Sequence, residues 1–216
     1  MKRPVVIFDM DGVLINSIPE HFRSYRVLFA RRGIKYEFSE FHRHDITSGV
    51  MHVIPRVMKE HGKPFDLPAM VKEKNSILKM KNIELFEGVP ELIKSIKKNG
   101  YKTAVASGGS REFLNKILKK RKIYGYFDLI LTGDDHVRKK PYPDIYNKTA
   151  EAFGVHPADC VVIEDTYDGV LAAKRAGMKV IGHKVPAEEQ NLSRADCVVK
   201  SMAYIDIKLI LRVWSK

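Results

Sequence analysis

The residues with most chemical potential in this chain are acids placed directly after apolar runs. Val5-Val6-Ile7-Phe8 is followed by Asp9-Met10-Asp11-Gly12. Four consecutive branched and aromatic residues read as a strand buried on both faces. Asp9 and Asp11 then stand at its carboxyl end, where open α/β sheets bind ligands. Two carboxylates so spaced can share one site, one attacking an electrophile or holding a hard cation while the other moves a proton. Gly12 lets the chain turn sharply and lets a ligand approach its backbone. Acids after a strand also occur as plain loop solubilisers, so the rest of the chain decides between the two.

Three further constellations supply what a phosphate site needs. Val161-Val162-Ile163 runs into Glu164-Asp165-Thr166, a second acid pair at a strand end, suited to oxygen-coordinated Mg²⁺. Ser107-Gly108-Gly109-Ser110 follows an apolar run and opens a helix, offering a hydroxyl and backbone N–H groups to a phosphate oxygen. The same four residues also suit an ordinary turn with Ser110 as helix cap. Arg138-Lys139-Lys140-Pro141-Tyr142-Pro143-Asp144 places basic residues before a proline-fixed helix start. Lys140, held there, can neutralise a phosphate and an aspartate together, although three basic residues compete for the role. His21, close in sequence to Asp11, is a further acid-base candidate. Asp134 and Asp135 lie in a loop with no second partner and stay outside the site.

The elements that must position these groups alternate strand and helix. Ser17-Ile18-Pro19-Glu20 reads as a capping box opening a helix that carries Ile18, Phe22, Tyr25 and Phe29 at helical spacing. From Tyr36 to Met80 the pattern is short helices separated by Gly62, Pro64 and Pro68, with no strand. His42, His44 and His52 fall there without a metal-ligand spacing. Residues 82–88 read as a return linker. Strands come next at Tyr101 to Ala106, Phe127 to Leu131, Val161 to Ile163, Lys179 to Gly182 and Cys197 to Val199, then a helix from Ile205 to Trp214. The expected architecture is α/β: a Rossmann-like parallel sheet with helices on both faces, built from residues 1–16 and 82–216, with residues 17–81 inserted as a helical cap.

Composition narrows the function classes. A chain of 216 residues, 44% hydrophobic and 30% charged, can bury the core of one soluble domain plus a small module. Cys160 and Cys197 lie in apolar runs and read as core residues without a disulfide. No apolar run has membrane-spanning length and the chain enters a strand at once, so a cytoplasmic protein with no membrane partner is expected. The net charge of +12, from 38 Lys and Arg against 26 Asp and Glu, suits a small phosphorylated substrate as well as nucleic acid. The run Lys116 to Lys122 lacks interleaved aromatic residues and reads as a solvated helix end, so no nucleic-acid partner is expected. Nothing demands more than a monomer.

D-x-D-G, Ser-Gly-Gly, Lys-Pro-x-Pro-Asp and Glu-Asp-Thr, in that order and each after an apolar strand, resemble the haloacid dehalogenase superfamily over nearly the whole chain. The nearest resemblance is to the β-phosphoglucomutase and phosphoglycolate-phosphatase-like members that carry a helical cap. It implies that Asp9 is a nucleophile forming an aspartyl-phosphate and Asp11 the acid and base. It implies that Ser107 and the Gly108 amide bind phosphoryl oxygens, with Gly12, Gly109 and His21 completing the substrate site. It further implies that Lys140 offsets charge and that Mg²⁺ sits among Asp9, the Asp11 carbonyl and Asp165, with Glu164 a ligand or just behind. The second aspartate points to phosphoryl transfer rather than dehalogenation. Glu20-His21-Phe22-Arg23 resembles the mutase-like subgroup. The stretch Arg43 to Gly49 lacks that subgroup's basic loop, and Ser110 stands where such mutases carry lysine. The expected function is therefore a Mg²⁺-dependent phosphatase for a small phosphorylated metabolite, with a phosphosugar mutase as the alternative. A basic nucleic-acid-binding protein that has lost the chemistry stands third.

Overall fold

The computed structural model describes residues 3–45, 49–135, 138–185 and 190–215. Ile46 to Ser48, part of the stretch read for a basic substrate loop, lie outside the described residues. Along the chain the strands are β1 (Val5–Phe8), β2 (Ile15–Asn16), β3 (Glu84–Leu85), β4 (Thr103–Ala106), β5 (Leu129–Leu131), β6 (Cys160–Glu164), β7 (Lys179–His183) and β8 (Cys197–Val199). Six of them form one parallel sheet in the order β5-β4-β1-β6-β7-β8. β1 lies between β4 and β6, which explains its unbroken apolar run: both of its faces and both of its edges are covered. Val5 and Ile7 pack with Ala104, Val162, Ile145 and Val170 on one face of the sheet. Phe8 alternates to the other face, edge-on to Phe127. Burying each such side chain contributes about 1.5–3 kcal/mol.

The chain packs as two compact units, residues 1–16 with 84–216 and residues 17–83. The first holds the sheet with helices α5 (Val89–Lys98), α6 (Arg111–Lys120), α7 (Asp144–Phe153), α8 (Tyr167–Arg175) and α9 (Ile207–Trp214), numbered after the four helices of the second unit. The second contains α1 (Ile18–Ala30), α2 (Phe38–Glu40), α3 (Val50–Glu60) and α4 (Leu67–Ile77) around Tyr25, Phe29, Tyr36, Phe41, Ile54 and Met58. No helix among the described residues is long and apolar enough to cross a membrane. Cys160 and Cys197 are free thiols.

Four local expectations are corrected. Ser17 does not cap α1 through its side chain, because its backbone is already helical (φ −92, ψ −21) where a cap needs extended geometry. Glu20 instead accepts from Arg23 Nε (2.8 Å) and Nη2 (2.5 Å), the Lys79 amide (2.6 Å) and Asn82 Nδ2 (3.0 Å). Pro68 does not separate helices but stands in the first turn of α4, capped by Asp66. The linker 82–88 contains β3, which pairs antiparallel with β2 through Ile15–Leu85 and Asn16–Glu84. Asp134 and Asp135 are not without partners: Asp135 accepts from Arg111 and from the Thr132 hydroxyl, and Asp134 from the Arg111 amide.

Candidate active site

Parallel pairing brings the two acidic strand ends level. Phe8 is in register with Ile163, and the Asp9 amide donates to the Ile163 carbonyl at 3.0 Å, so Asp9 and Glu164 leave neighbouring strands together. Lys140 joins them. Its ammonium donates to Asp9 Oδ1 at 2.5 Å, Glu164 Oε1 at 2.6 Å and the Ala106 carbonyl at 3.2 Å. The three donors of one lysine thus reach the ends of β1, β6 and β4.

The loop before α7 selects Lys140 from the three basic candidates. Arg138 forms a fork on the Asp144 carboxylate (3.0 and 2.8 Å) and lies 4.5 Å over the Tyr142 ring. Lys139 is exposed. Arg175 donates to the Pro141 carbonyl at 2.8 Å, fixing the backbone just after Lys140.

Glu164 is 1% exposed and both its oxygens are engaged. Oε1 takes Lys140 and the Tyr146 hydroxyl (3.1 Å), while Oε2 takes the amides of Asp165 and Thr166 and the Thr166 hydroxyl. Gly169 makes room for it: a Cβ there would lie 1.8 Å from Oε1. Burial pushes the Glu164 carboxyl up, but the Lys140 ammonium and these hydrogen bonds outweigh it and hold the pKa below the usual value. Asp9 goes the other way: burial raises its carboxyl to about 7 against the pull of Lys140, with Glu164 and Asp11 adding repulsion. Burial opposes the charge on Lys140, yet Asp9 and Glu164 keep its pKa well above the ordinary lysine value.

The D-x-D-G turn is tied to the second acid. The Met10 carbonyl accepts from Leu14 (2.9 Å) and Ile15 (3.0 Å), and the Gly12 amide donates to the Ile15 carbonyl (3.0 Å). Gly12 has φ +79, and a Cβ on it would lie 1.9 Å from Asp165 Oδ2. The Asp165 carboxylate therefore rests on the Gly12 backbone. Asp11 is half-buried beside it.

Ser107 ends β4, buried, and its hydroxyl accepts from the Gly109 amide at 3.2 Å. Of the two glycine amides expected to cradle phosphate, that of Gly109 is thus turned to Ser107. Ser110 caps α6 through Phe113, as the turn pattern allows. His21 belongs to the helical unit, where its Nδ1 lies 2.9 Å from the Lys74 ammonium. Desolvation and the Lys74 charge lower its pKa to about 3, so it is neutral near pH 7.

Sequence reading gave Thr166 no role beyond its place in the Glu-Asp-Thr motif, and missed Tyr146, His183 and Gln190. Tyr146 and Thr166 hold Glu164, and a tyrosine just inside a helix after a proline-fixed lysine was the available signal. His183 meets the Gly12 carbonyl at 2.7 Å, and Gln190 Nε2 lies 3.5 Å from Asp165 Oδ2.

The donor set fits Mg²⁺. Asp9, Asp165 and the Asp11 carbonyl are hard oxygen donors, and the glycine at position 12 leaves the Asp165 carboxylate the space it occupies. Among the described residues no three His, Cys, Asp or Glu side chains form a cation cage. Mg²⁺ is typically held by one or two carboxylates and keeps several waters.

The chain is 28% identical over 207 residues to validoxylamine A 7'-phosphate phosphatase of Streptomyces hygroscopicus subsp. limoneus, covering 93% of this chain and 95% of that protein. It is 30% identical over 177 residues to phosphoglycolate phosphatase of Aquifex aeolicus, covering 81% and 82%. A crystal structure of a CbbY variant from Rhodobacter sphaeroides in complex with xylulose-(1,5)bisphosphate superposes with TM-score 0.82 at 27% identity, covering 94% and 96%. The model of the haloacid dehalogenase-like hydrolases matches residues 6–183. With acid pairs at two paired strand ends bridged by one lysine, the chain belongs to the haloacid dehalogenase-like hydrolase family.

Proposed function

We propose that the protein is a Mg²⁺-dependent phosphomonoesterase that hydrolyses a small phosphorylated metabolite through an aspartyl-phosphate on Asp9. The observation that carries this reading is the Lys140 ammonium fixed between Asp9 and Glu164, with Ser107 directly after the Ala106 carbonyl it also meets. Phosphatases among its relatives and a bound bisphosphate in a structural neighbour support the substrate class.

In this reading Asp9 Oδ attacks phosphorus and the bond to the alcohol oxygen breaks, that oxygen taking a proton from Asp11. Asp11, now a carboxylate, removes a proton from water as its oxygen attacks the aspartyl-phosphate, and phosphate leaves. Lys140 offsets the negative charge that gathers as the phosphoryl dianion meets Asp9. Ser107 and the Gly108 amide orient the phosphoryl oxygens. Asp9, the Asp11 carbonyl and Asp165 would hold Mg²⁺, which would supply charge neutralisation at the phosphoryl group. Glu164 anchors Lys140 rather than the cation, since both its oxygens already accept protein donors. We assign the role of cap to residues 17–83. We keep the cytoplasm as the proposed compartment, and a monomer suffices because every assigned residue lies in one chain.

Phosphate release from phosphoglycolate, sugar phosphates and p-nitrophenyl phosphate, with Mg²⁺ and with EDTA, tests the reading. Mg²⁺-dependent release is expected. No release from any ester, with isomerisation of a hexose 1-phosphate, would replace the phosphatase by a mutase.

A further inference from the structure

We propose that His183 is a positioning residue for this reaction: its imidazole fixes the Gly12 peptide and so keeps the Asp9–Asp11 turn in register with the Asp165 carboxylate. The inference rests on the phosphatase reading and deepens it at the same site.

Glu164 pairs in register with Gly182, so His183 stands one step beyond, level with Asp165 at the carboxyl end of β7. From there it reaches past the end of β6 to a loop 171 residues away in sequence, Nδ1 meeting the Gly12 carbonyl at 2.7 Å. A carbonyl only accepts, so Nδ1 carries the proton. The ring is 1% exposed and sits edge-on to Phe86, centroids 5.0 Å apart at 80°, which fixes its rotation. The acceptor matters because of what surrounds it. The Gly12 amide is already committed to Ile15, and Gly12 is the backbone on which Asp165 rests. Fixing the Gly12 carbonyl therefore fixes both polar groups of that residue. Gly12 directly follows the Asp11 carbonyl, which would share a cation with the Asp165 carboxylate resting on Gly12. The same strand end helps from the other side: the Val185 amide holds Gln190 Oε1 at 2.8 Å, placing Gln190 Nε2 toward Asp165. A histidine at the end of an apolar strand need not bond to a loop; this one ties the end of β7 to the acidic turn after β1.

The test compares wild type with His183→Leu, which packs but cannot donate, and His183→Asn, whose Nδ2 can take the place of the imidazole Nδ1. Mn²⁺ binding is measured by electron paramagnetic resonance, and kcat and KM with p-nitrophenyl phosphate. For His183→Leu we expect Mn²⁺ affinity and kcat each reduced about 10–100-fold, the range seen when a partner behind a metal ligand is lost, with KM little changed. His183→Asn should recover most of both. A well-folded His183→Leu that binds Mn²⁺ and turns over like wild type overturns the proposal. So does a His183→Asn as impaired as the leucine variant. Should His183→Leu not fold, nitrogen-15 spectra of the wild-type imidazole decide. A neutral ring protonated at Nδ1 whose resonance moves on adding Mg²⁺ is expected, and an Nε2–H tautomer or no response to Mg²⁺ overturns it. Cation binding and the imidazole spectrum need no turnover, so a wild type that releases no phosphate would sink the phosphatase reading separately.

Discussion

Lys140 Nζ lies 2.5 Å from Asp9 Oδ1, a bond between residues 131 positions apart in the chain. Lys140 is only 14% exposed in its side chain and also neutralises Glu164. Removing one member of a buried ion pair costs roughly 3–5 kcal/mol, because the charges left behind stay desolvated. Lys140→Met should therefore lower the thermal midpoint markedly as well as eliminate turnover. Differential scanning calorimetry beside a phosphate-release assay checks it; a midpoint equal to wild type would show that the ammonium adds nothing to the fold.

Asp9→Asn separates catalysis from stability. Burial raises the Asp9 pKa from 3.8 to about 7, so the folded state holds this proton more tightly than the unfolded chain. The stability linked to that proton is present below pH 3.8 and is lost as pH rises through about 7. In EDTA, wild type should lose more thermal midpoint between pH 5 and pH 8 than Asp9→Asn, which has no carboxyl to ionise. The variant should also release no phosphate. Parallel pH profiles for the two proteins would contradict the raised pKa.

Gly12→Ala probes the seat of Asp165. The residue needs φ +79, and its new Cβ would start 1.9 Å from Asp165 Oδ2. The left-handed backbone alone costs an alanine about 1–2 kcal/mol, and the carboxylate must also move. We expect a folded but less stable protein with weakened Mg²⁺ binding by calorimetric titration. Unchanged cation affinity would show that Asp165 is not seated by Gly12.

Glu20 gives the helical unit an acid-sensitive point. Burial pushes its carboxyl up, but Arg23, Asn82 and the Lys79 amide outweigh this and bring the pKa to about 2. The stabilisation is present above pH 4.5, the ordinary value, and is lost as pH falls through about 2. Glu20→Gln should melt lower than wild type at pH 7, and the difference should close as the pH approaches 2. Circular dichroism melts across that range measure it, and a gap that stays constant would refute it.

Much of the site was legible because strands buried on both faces announce themselves as apolar runs, and the residues just after such a run must lie at the sheet's ligand-binding edge. Asp9 and Glu164 were found in this way. Choosing Lys140 over Arg138 was not possible from position alone, since the choice depends on Arg138 finding Asp144 and Tyr142. Ser17-Ile18-Pro19-Glu20 misled because the partners of Glu20, Lys79 and Asn82, are 59 and 62 residues away. The pairing of β2 with β3 spans two residues on each side, too few for a period of two to show. His183 stayed hidden because a histidine ending an apolar strand looks like any packed core residue.

The central place of β1 also orders events during synthesis. The strand that carries Asp9 is made before its partners, Thr103 to Val105 on one side and Cys160 to Ile163 on the other. A nascent chain therefore carries Asp9 before either neighbouring strand is made, and such long-range pairing is slow to close. A product that stops short of Cys160 keeps the first acid pair but lacks Glu164 and Asp165, so it holds only part of the proposed site.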